Sequence, residues 1–412
     1  YQNVGLGQDA LRNNQDGYDN VAVGSSTLDA VTSGYQNVGI GISGGSSLNT
    51  GYQNTFVGAF AGLDSTDGRL NAFFGAYAGT GNTGGRYNTA IGASSLQENQ
   101  LGDNNTAVGR YTMYNTNTAD GTGDNTGVGV TAGYTNTTGI KNTWMGYRAG
   151  YNSTTASNNV LIGFEAGYQN TTGTANVAVG YRALMDTTVG GENVAFGNYA
   201  GQNYAGTTSS VYGAFSTFIG HAAGFAVTGG NSYGSVIAIG HQPMYNATGA
   251  NRVIAIGNSA VVSGTNALDV LAVGQGAGAY ADGTGSTYIG MKAGFRSSGN
   301  YNVAVGYRAL SGSSSGDTSH NNVAIGYVAM EDSSAAVENV VIGTFAGTNM
   351  TTASYNTIVG PYAGRDITAS NRNVALGYAA LSTDTLGSKS TAIGFAALNG
   401  QNFTTATDSF NT

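Results

Sequence analysis

One glycine closes the string Asn-x-x-apolar-Gly over and over, at positions 7, 24, 41, 58, 75, 92, 109, 129, 146, 163, 180, 197, 220, 240, 257, 274, 290, 306, 326, 343, 360, 377 and 394. Of the 22 intervals, 16 are 17 residues, three are 20, two are 16 and one is 23. A register kept through 23 copies is the mark of a stacked-repeat architecture, in which each copy is one unit that buries its apolar face only against its neighbours. Seventeen residues are too few for a helix pair, and no segment sustains a 3.6-residue period, so helical solenoids are excluded. The sequence therefore predicts an all-β chain, a parallel β-solenoid (β-roll) of about 23 rungs, each with two short strands and two turns. At about 4.8 Å per rung such a stack would be a rod of roughly 105 Å. Residues 1–398 read as one continuous array with enlarged loops near 110–124, 201–216, 225–236 and 311–321, and residues 399–412 as an exit segment.

Good copies read Asn-Val-Ala-Val-Gly-Tyr-Arg-Ala-Leu, as at 176–184 and 302–310, followed by about eight residues of Gly, Thr, Asn and Ser that supply turn chemistry. The residue before the glycine is apolar in all 23 copies, and the residue two earlier is Val, Ile, Leu, Thr or Ala. These two share one side of a strand and are expected to fill the coil, taking Thr55, Thr89, Thr106, Thr126 and Thr143 inward. The residue between them is mostly Ala or Gly but is Phe56, Phe73, Trp144, Leu161, Phe218, Tyr288, Val341 or Ile358 in other copies. The strand is thus apolar on both sides and must be covered on both. One side can face the interior; the other calls for another chain, and a closed cyclic assembly such as a homotrimer leaves no side free. The Ala found three residues after the glycine in 18 of 23 copies marks the expected second strand.

Asn stands four residues before the glycine in 17 of 23 copies. Asn3, Asn20, Asn37, Asn54, Asn176, Asn193, Asn302, Asn322 and Asn339 belong to this column, which reads as a structural ladder of stacked amides. Only 9% of residues are charged, the 14 Lys and Arg are scattered, and the net charge is −8, so a basic stripe for nucleic acid is absent. Without cysteine there are no disulfides, Cys-ligated zinc sites or thiol chemistry. No run of 18 apolar residues offers a membrane span, and no leader pattern is seen. The chain opens at Tyr1 inside a repeat, so a piece of a longer protein is expected.

The strings NVAVGYRAL, NVAIGYVAM and NTAIGASSL resemble the head repeat of trimeric autotransporter adhesins (YadA-like heads). They are equally similar to the repeat arrays of phage tail-fibre proteins. The resemblance covers nearly the whole chain, although the adhesin heads repeat at a shorter period than 17. It implies a left-handed parallel β-roll assembled as a trimer on a virion or bacterial surface. It also implies a structural or adhesive role, with a host or surface receptor that could be a glycan. The expected owner is a viral tail or capsid fibre; the alternative is a bacterial cell-surface adhesin or extracellular filament subunit.

No enzyme is expected, because acids are scattered through turns and His221, His241 and His320 are the only histidines. No cofactor is implied. His221 and His241 follow Gly220 and Gly240 in one column and could hold an ion on a three-fold axis. Tyr204, Tyr212, Phe215, Phe225 and Tyr233, set in enlarged turns rich in Gly and Ser, are candidates for surface recognition. Acidic turns such as 120–124 lack the serial pattern of a calcium-binding roll. A flat, uncharged solenoid could also order water on Thr files, but only if those files faced out.

Overall fold

The computed structural model describes residues 2–204, 215–229, 235–264, 267–312 and 317–412, with no helix among them. The chain forms two compact units, Tyr1–Gln202 and Asn203–Thr412, divided in the enlarged loop near 201–216. Each unit is a parallel β-solenoid. The first carries twelve rung strands, from Val4–Leu6 to Val194–Phe196, and the second carries eleven, from Thr217–Ile219 to Thr391–Ile393. Within a unit, equivalent residues pair in parallel register, as in Val4↔Val21, Gly5↔Ala22 and Leu6↔Val23. Rungs are named below by their corner glycine.

One side of each rung is a strand of three or four residues; among the described residues, second strands occur only as the short pairs Thr228–Gly229 with Thr248–Ala250 and Gly387–Ser388 with Thr407–Asp408. The second strand expected at the Ala column is not formed among the described residues. In its place the chain passes through successive turns in which the second and fourth residues after the glycine are left-handed: Ser26 and Leu28 at φ 54° and 49°, Ser94 and Leu96 at 55° and 49°. The reason the chain holds this shape is the alternating direction of its donors. Ser26 N–H reaches back to Gln8 O on the preceding rung at 2.8 Å, while Leu28 N–H reaches forward to Gly44 O at 3.0 Å. Each rung is thereby bonded to both neighbours without a strand, which repays the cost of left-handed backbone at non-glycine residues.

The strand is also turned inside out relative to the sequence expectation. The middle residue faces the coil interior: Ala22, Phe56, Phe73, Trp144, Leu161, Phe218 and Tyr288 are all fully buried. Its two neighbours, Thr55, Thr89, Thr106, Thr126 and Thr143 among them, are only half-buried and point outward. The physical cause is volume. Inside the coil the middle residue meets the fourth residue after the glycine, and in most rungs the two trade size; where both are small, as at Gly39 and Gly45 or Gly127 and Gly133, the ring of the next rung fills the space. Ala22, Ala90, Ala107, Ala178 and Ala324 are matched by Leu28, Leu96, Met113, Leu184 and Met330, whereas Phe56, Phe73, Trp144, Phe218 and Tyr288 are matched by Gly62, Gly79, Gly150, Gly224 and Gly294. A Cβ on Gly62 would lie 2.5 Å from Phe56 Cε1, and Trp144 also presses on Gly133 of the preceding rung, where a Cβ would lie 2.5 Å from its ring. A narrow interior filled to crystal-like density leaves room for one large side chain between these two positions. The outward pair is free of this constraint and can be large on every rung.

Asparagine staples the rungs at the strand entrance. Asn37 donates its backbone N–H and its side-chain Nδ2–H to Asn20 Oδ1, both at 3.0 Å, and donates Nδ2–H again to Gly51 O at 2.9 Å. The same bonds recur at Asn54, Asn142, Asn159 and Asn339. Asn193 bonds Asn176 Oδ1, and Asn322 bonds Asn302 Oδ1. Where Val236 and Val253 replace asparagine, the strand gains one paired residue, Val236↔Val253, so the ladder is traded for another main-chain step. Residues 399–412 do not leave the stack: Thr407–Asp408 pairs with Gly387–Ser388, and Thr391 N–H donates to Asn411 O at 2.7 Å.

Candidate interaction face

The outward residues of the rung strands form a double file that contains no charged or strongly polar side chain. In the first unit it runs through Val21 and Val23, Val38 and Ile40, Thr89 and Ile91, Val160 and Ile162, to Val194 and Phe196. In the second it runs through Ile237 and Ile239, Ile254 and Ile256, Val323 and Ile325, to Val374 and Leu376. These residues are half-buried by their file neighbours, and the larger ones protrude: Met145 is 45% exposed and Phe196 45%. With about 4.8 Å between rungs, the file and the corner column beside it span roughly 700 Å² in the first unit alone. That exceeds the few hundred Å² of contiguous apolar surface that isolated soluble proteins usually expose. It is near the roughly 800 Å² per partner of a stable interface.

Thr89, Thr106, Thr126 and Thr143 stand in four successive rungs of this file, so hydroxyls do face out. Their companions are Ile91, Val108, Val128 and Met145. The result is an uneven apolar ridge beside a single hydroxyl row, a surface suited to side-chain packing rather than to a flat water lattice.

An aromatic rib borders the file at the corner in each unit. In the first, Tyr147, Phe164 and Tyr181 stack at 5.2 Å intervals, and Tyr199 meets Tyr181 edge-on. Arg148 lies over both Tyr147 and Tyr151, at 5.0 and 5.6 Å from the ring centres, and Glu165 sits between Arg148 and Arg182 at 3.9 and 2.9 Å. The hydrogen bond to Glu165 raises the already high pKa of Arg182. In the second unit ring contacts run unbroken through Tyr307, Tyr327, Phe345, Tyr362, Tyr378 and Phe395. Where rings stack rung on rung their faces cover each other, and edges meet solvent. Such columns stiffen the stack.

Of the residues singled out in the sequence, Tyr204 is corrected by its position. It is 2% exposed, its hydroxyl pairs with Ser216 Oγ at 3.0 Å, and its ring meets Phe218 edge-on at 5.1 Å. Counting seven residues from Gly197 puts it in the inward column that holds Val31 and Leu48, so it is core and cannot meet a surface ligand. Phe215 is 53% exposed. Phe225 is half-buried and stacks on Tyr245 at 4.8 Å. Tyr212 and Tyr233 lie outside the described residues. His221 and His241 are exposed and stacked, with ring centres 5.3 Å apart and planes 20° apart. Nearly parallel rings at that spacing aim their lone pairs side by side, so one chain does not chelate an ion with them at metal–nitrogen distances of about 2 Å. Among the described residues no group of three or more His, Cys, Asp or Glu is placed to hold a metal.

Several ion pairs join one rung to the next. Arg12 pairs with Asp29 at 2.8 Å, Arg252 with Asp269 at 2.5 Å, Arg308 with Glu331 at 2.5 Å and Lys389 with Asp408 at 2.6 Å. The hydrogen bond from Arg252 holds the Asp269 carboxyl below the usual carboxylate range. Such exposed pairs contribute little to stability and more to keeping register. No family model matches this sequence, and no curated protein matches it.

Proposed function

We propose that this chain is a structural and adhesive fibre segment that works as a homotrimer, its outer strand files packed against those of two further copies. The observation that carries the reading is the outward file itself, uncharged and largely apolar in both units although the interior has no need of it. Burying such a file against another protein surface is favourable at about 25 cal/mol per Å² before the costs of association. Three copies around one axis cover every file and leave the turns, rich in Asn, Ser and Thr, facing water. The fibre of a virus, a tail or capsid fibre projecting toward a host receptor such as a surface glycan, is the owner that the repeat strings favour. Their equal likeness to adhesin heads supports a bacterial surface adhesin or filament as the second reading, and either places the chain outside the cell. No catalytic step is assigned to it.

The test is the mass in solution. Light scattering at micromolar concentration is expected to give three times the 41.5 kDa chain mass. Val160→Lys with Val177→Lys, two outward positions on adjacent rungs, is expected to release folded monomer with an unchanged far-UV spectrum. A wild-type chain that stays monomeric would overturn the assembly.

A further inference from the structure

The Gly290, Gly306 and Gly326 rungs enclose a carboxylate that has no countercharge among the described residues. Asp317 is fully buried, and its backbone pairs with that of Ser297 on the preceding rung. Its Oδ1 accepts the N–H of Ser319 at 2.8 Å, and its Oδ2 accepts the hydroxyl of Ser333, on the following rung, at 3.1 Å. Both donors are neutral. Ser297 is equally buried, and its hydroxyl finds no partner. Buried Tyr288 donates to the Ser297 carbonyl at 3.4 Å.

The second buried carboxylate of this unit makes the contrast. Asp384 accepts from Gly387 N–H and Phe403 N–H, both at 3.0 Å, and from the Gln401 amide at 2.6 Å. Three of the roughly four acceptor sites of that carboxylate are taken. Among the described residues Asp317 has two donors, beside a hydroxyl that is unmatched.

The charged and titratable groups around Asp317 do not supply the missing charge. Arg308 is paired with Glu331 at 2.5 Å on the outside. His320 is exposed and its Nδ1 is bonded to Thr318 O at 3.1 Å. Burial and, after it, the charge of Asp317 push the Tyr288 phenol up, so that its hydroxyl stays neutral and offers Asp317 no positive charge. Among the described residues no ion pair includes Asp317. An ionised carboxylate in such a place costs several kcal/mol, and a buried acid escapes that cost by taking up a proton. Burial pushes the Asp317 carboxyl up, and the bonds from Ser319 and Ser333 pull it only part of the way back.

We propose that Asp317 is a proton-binding site inside the second unit, and that its ionisation as the pH rises loosens the rungs around it. The bound proton gives the cluster an O–H donor next to the rung on which Ser297 Oγ lacks a partner. The sign follows from linkage: the folded state holds this proton more tightly than the unfolded chain. Its stabilising contribution is therefore present at low pH and is lost as the pH climbs from the unfolded carboxyl value through the folded one. The inference rests on one chain and does not depend on the trimer.

The experiment compares urea unfolding of the full wild-type chain and Asp317→Asn from about pH 4, near the unfolded carboxyl value, to about pH 8. The wild-type unfolding constant is expected to rise several-fold more across this range than that of Asp317→Asn, and Asp317→Asn is expected to be the more stable at pH 8. Equal slopes for wild type and Asp317→Asn would overturn the proposal. So would a wild-type gain at pH 8 on adding sodium or calcium chloride that Asp317→Asn lacks, since the ligand would then be a metal cation.

Discussion

Phe73→Ala is expected to cost the first unit about 3–5 kcal/mol, the usual range for emptying a buried aromatic site. Gly79→Leu alone should also destabilise, by about 1–3 kcal/mol, because the new side chain would be driven into the Phe73 ring. The double variant is the informative one. It rebuilds at the Gly75 rung the pair that the next rung already carries, Ala90 with Leu96, and Leu96 sits at φ 49° where Gly79 sits at 57°. The left-handed backbone that leucine must adopt is thus one this fold holds at Leu28, Leu96 and Leu184. Phe73→Ala with Gly79→Leu should recover most of the loss from Phe73→Ala, a coupling at or above the top of the roughly 0.5–3 kcal/mol seen for contacting residues. Urea unfolding of the four species closes the cycle. Additive losses would show that the two positions do not share one space.

That size exchange also marks where the sequence was readable and where it was not. The period, the corner glycine and the asparagine column are fixed by backbone needs that only one or two residue types meet, and each can be seen by alignment alone. The facing of the strand was misread because the outward residues are the more constantly large, and constancy of bulk resembles a core. The better signal was the covariation: Ala178 goes with Leu184, Trp144 with Gly150. A position whose size is answered by another position is inside. The same count from the corner glycine would have placed Tyr204 in the inward column with Val31 and Leu48, where composition of the surrounding turn suggested surface. The left-handed turns were not legible at all. Leucine, tyrosine and arginine avoid that conformation in isolation, and what holds Leu28 or Tyr77 there is bonding to the adjacent rungs, which no local propensity reports.

The corner column makes the sharpest demand. Gly377 and Gly394 share nearly the same backbone, φ 133° and 125°, a region closed to ordinary side chains. They differ in surroundings: a Cβ on Gly377 would overlap the Gly394 carbonyl, with its carbon 2.7 Å away, whereas a Cβ on Gly394 meets nothing within 4 Å. Gly394→Ala should therefore show the conformational cost alone, about 1–3 kcal/mol. Gly377→Ala adds a collision between two backbones, each tied to further rungs, so neither can retreat without breaking main-chain bonds. Its loss should exceed that of Gly394→Ala by at least about 2 kcal/mol, in the range of overpacked cores. In a stack whose stability is a sum of rungs and their interfaces, the damage should be local. Hydrogen exchange is expected to quicken first at Gly377, Ala379 and Gly394, whose N–H groups bond back to Val359, Pro361 and Leu376. If the two alanine variants lose the same stability, the glycine column is set by backbone conformation alone, and the spacing between rungs can give where the structure shows it closed.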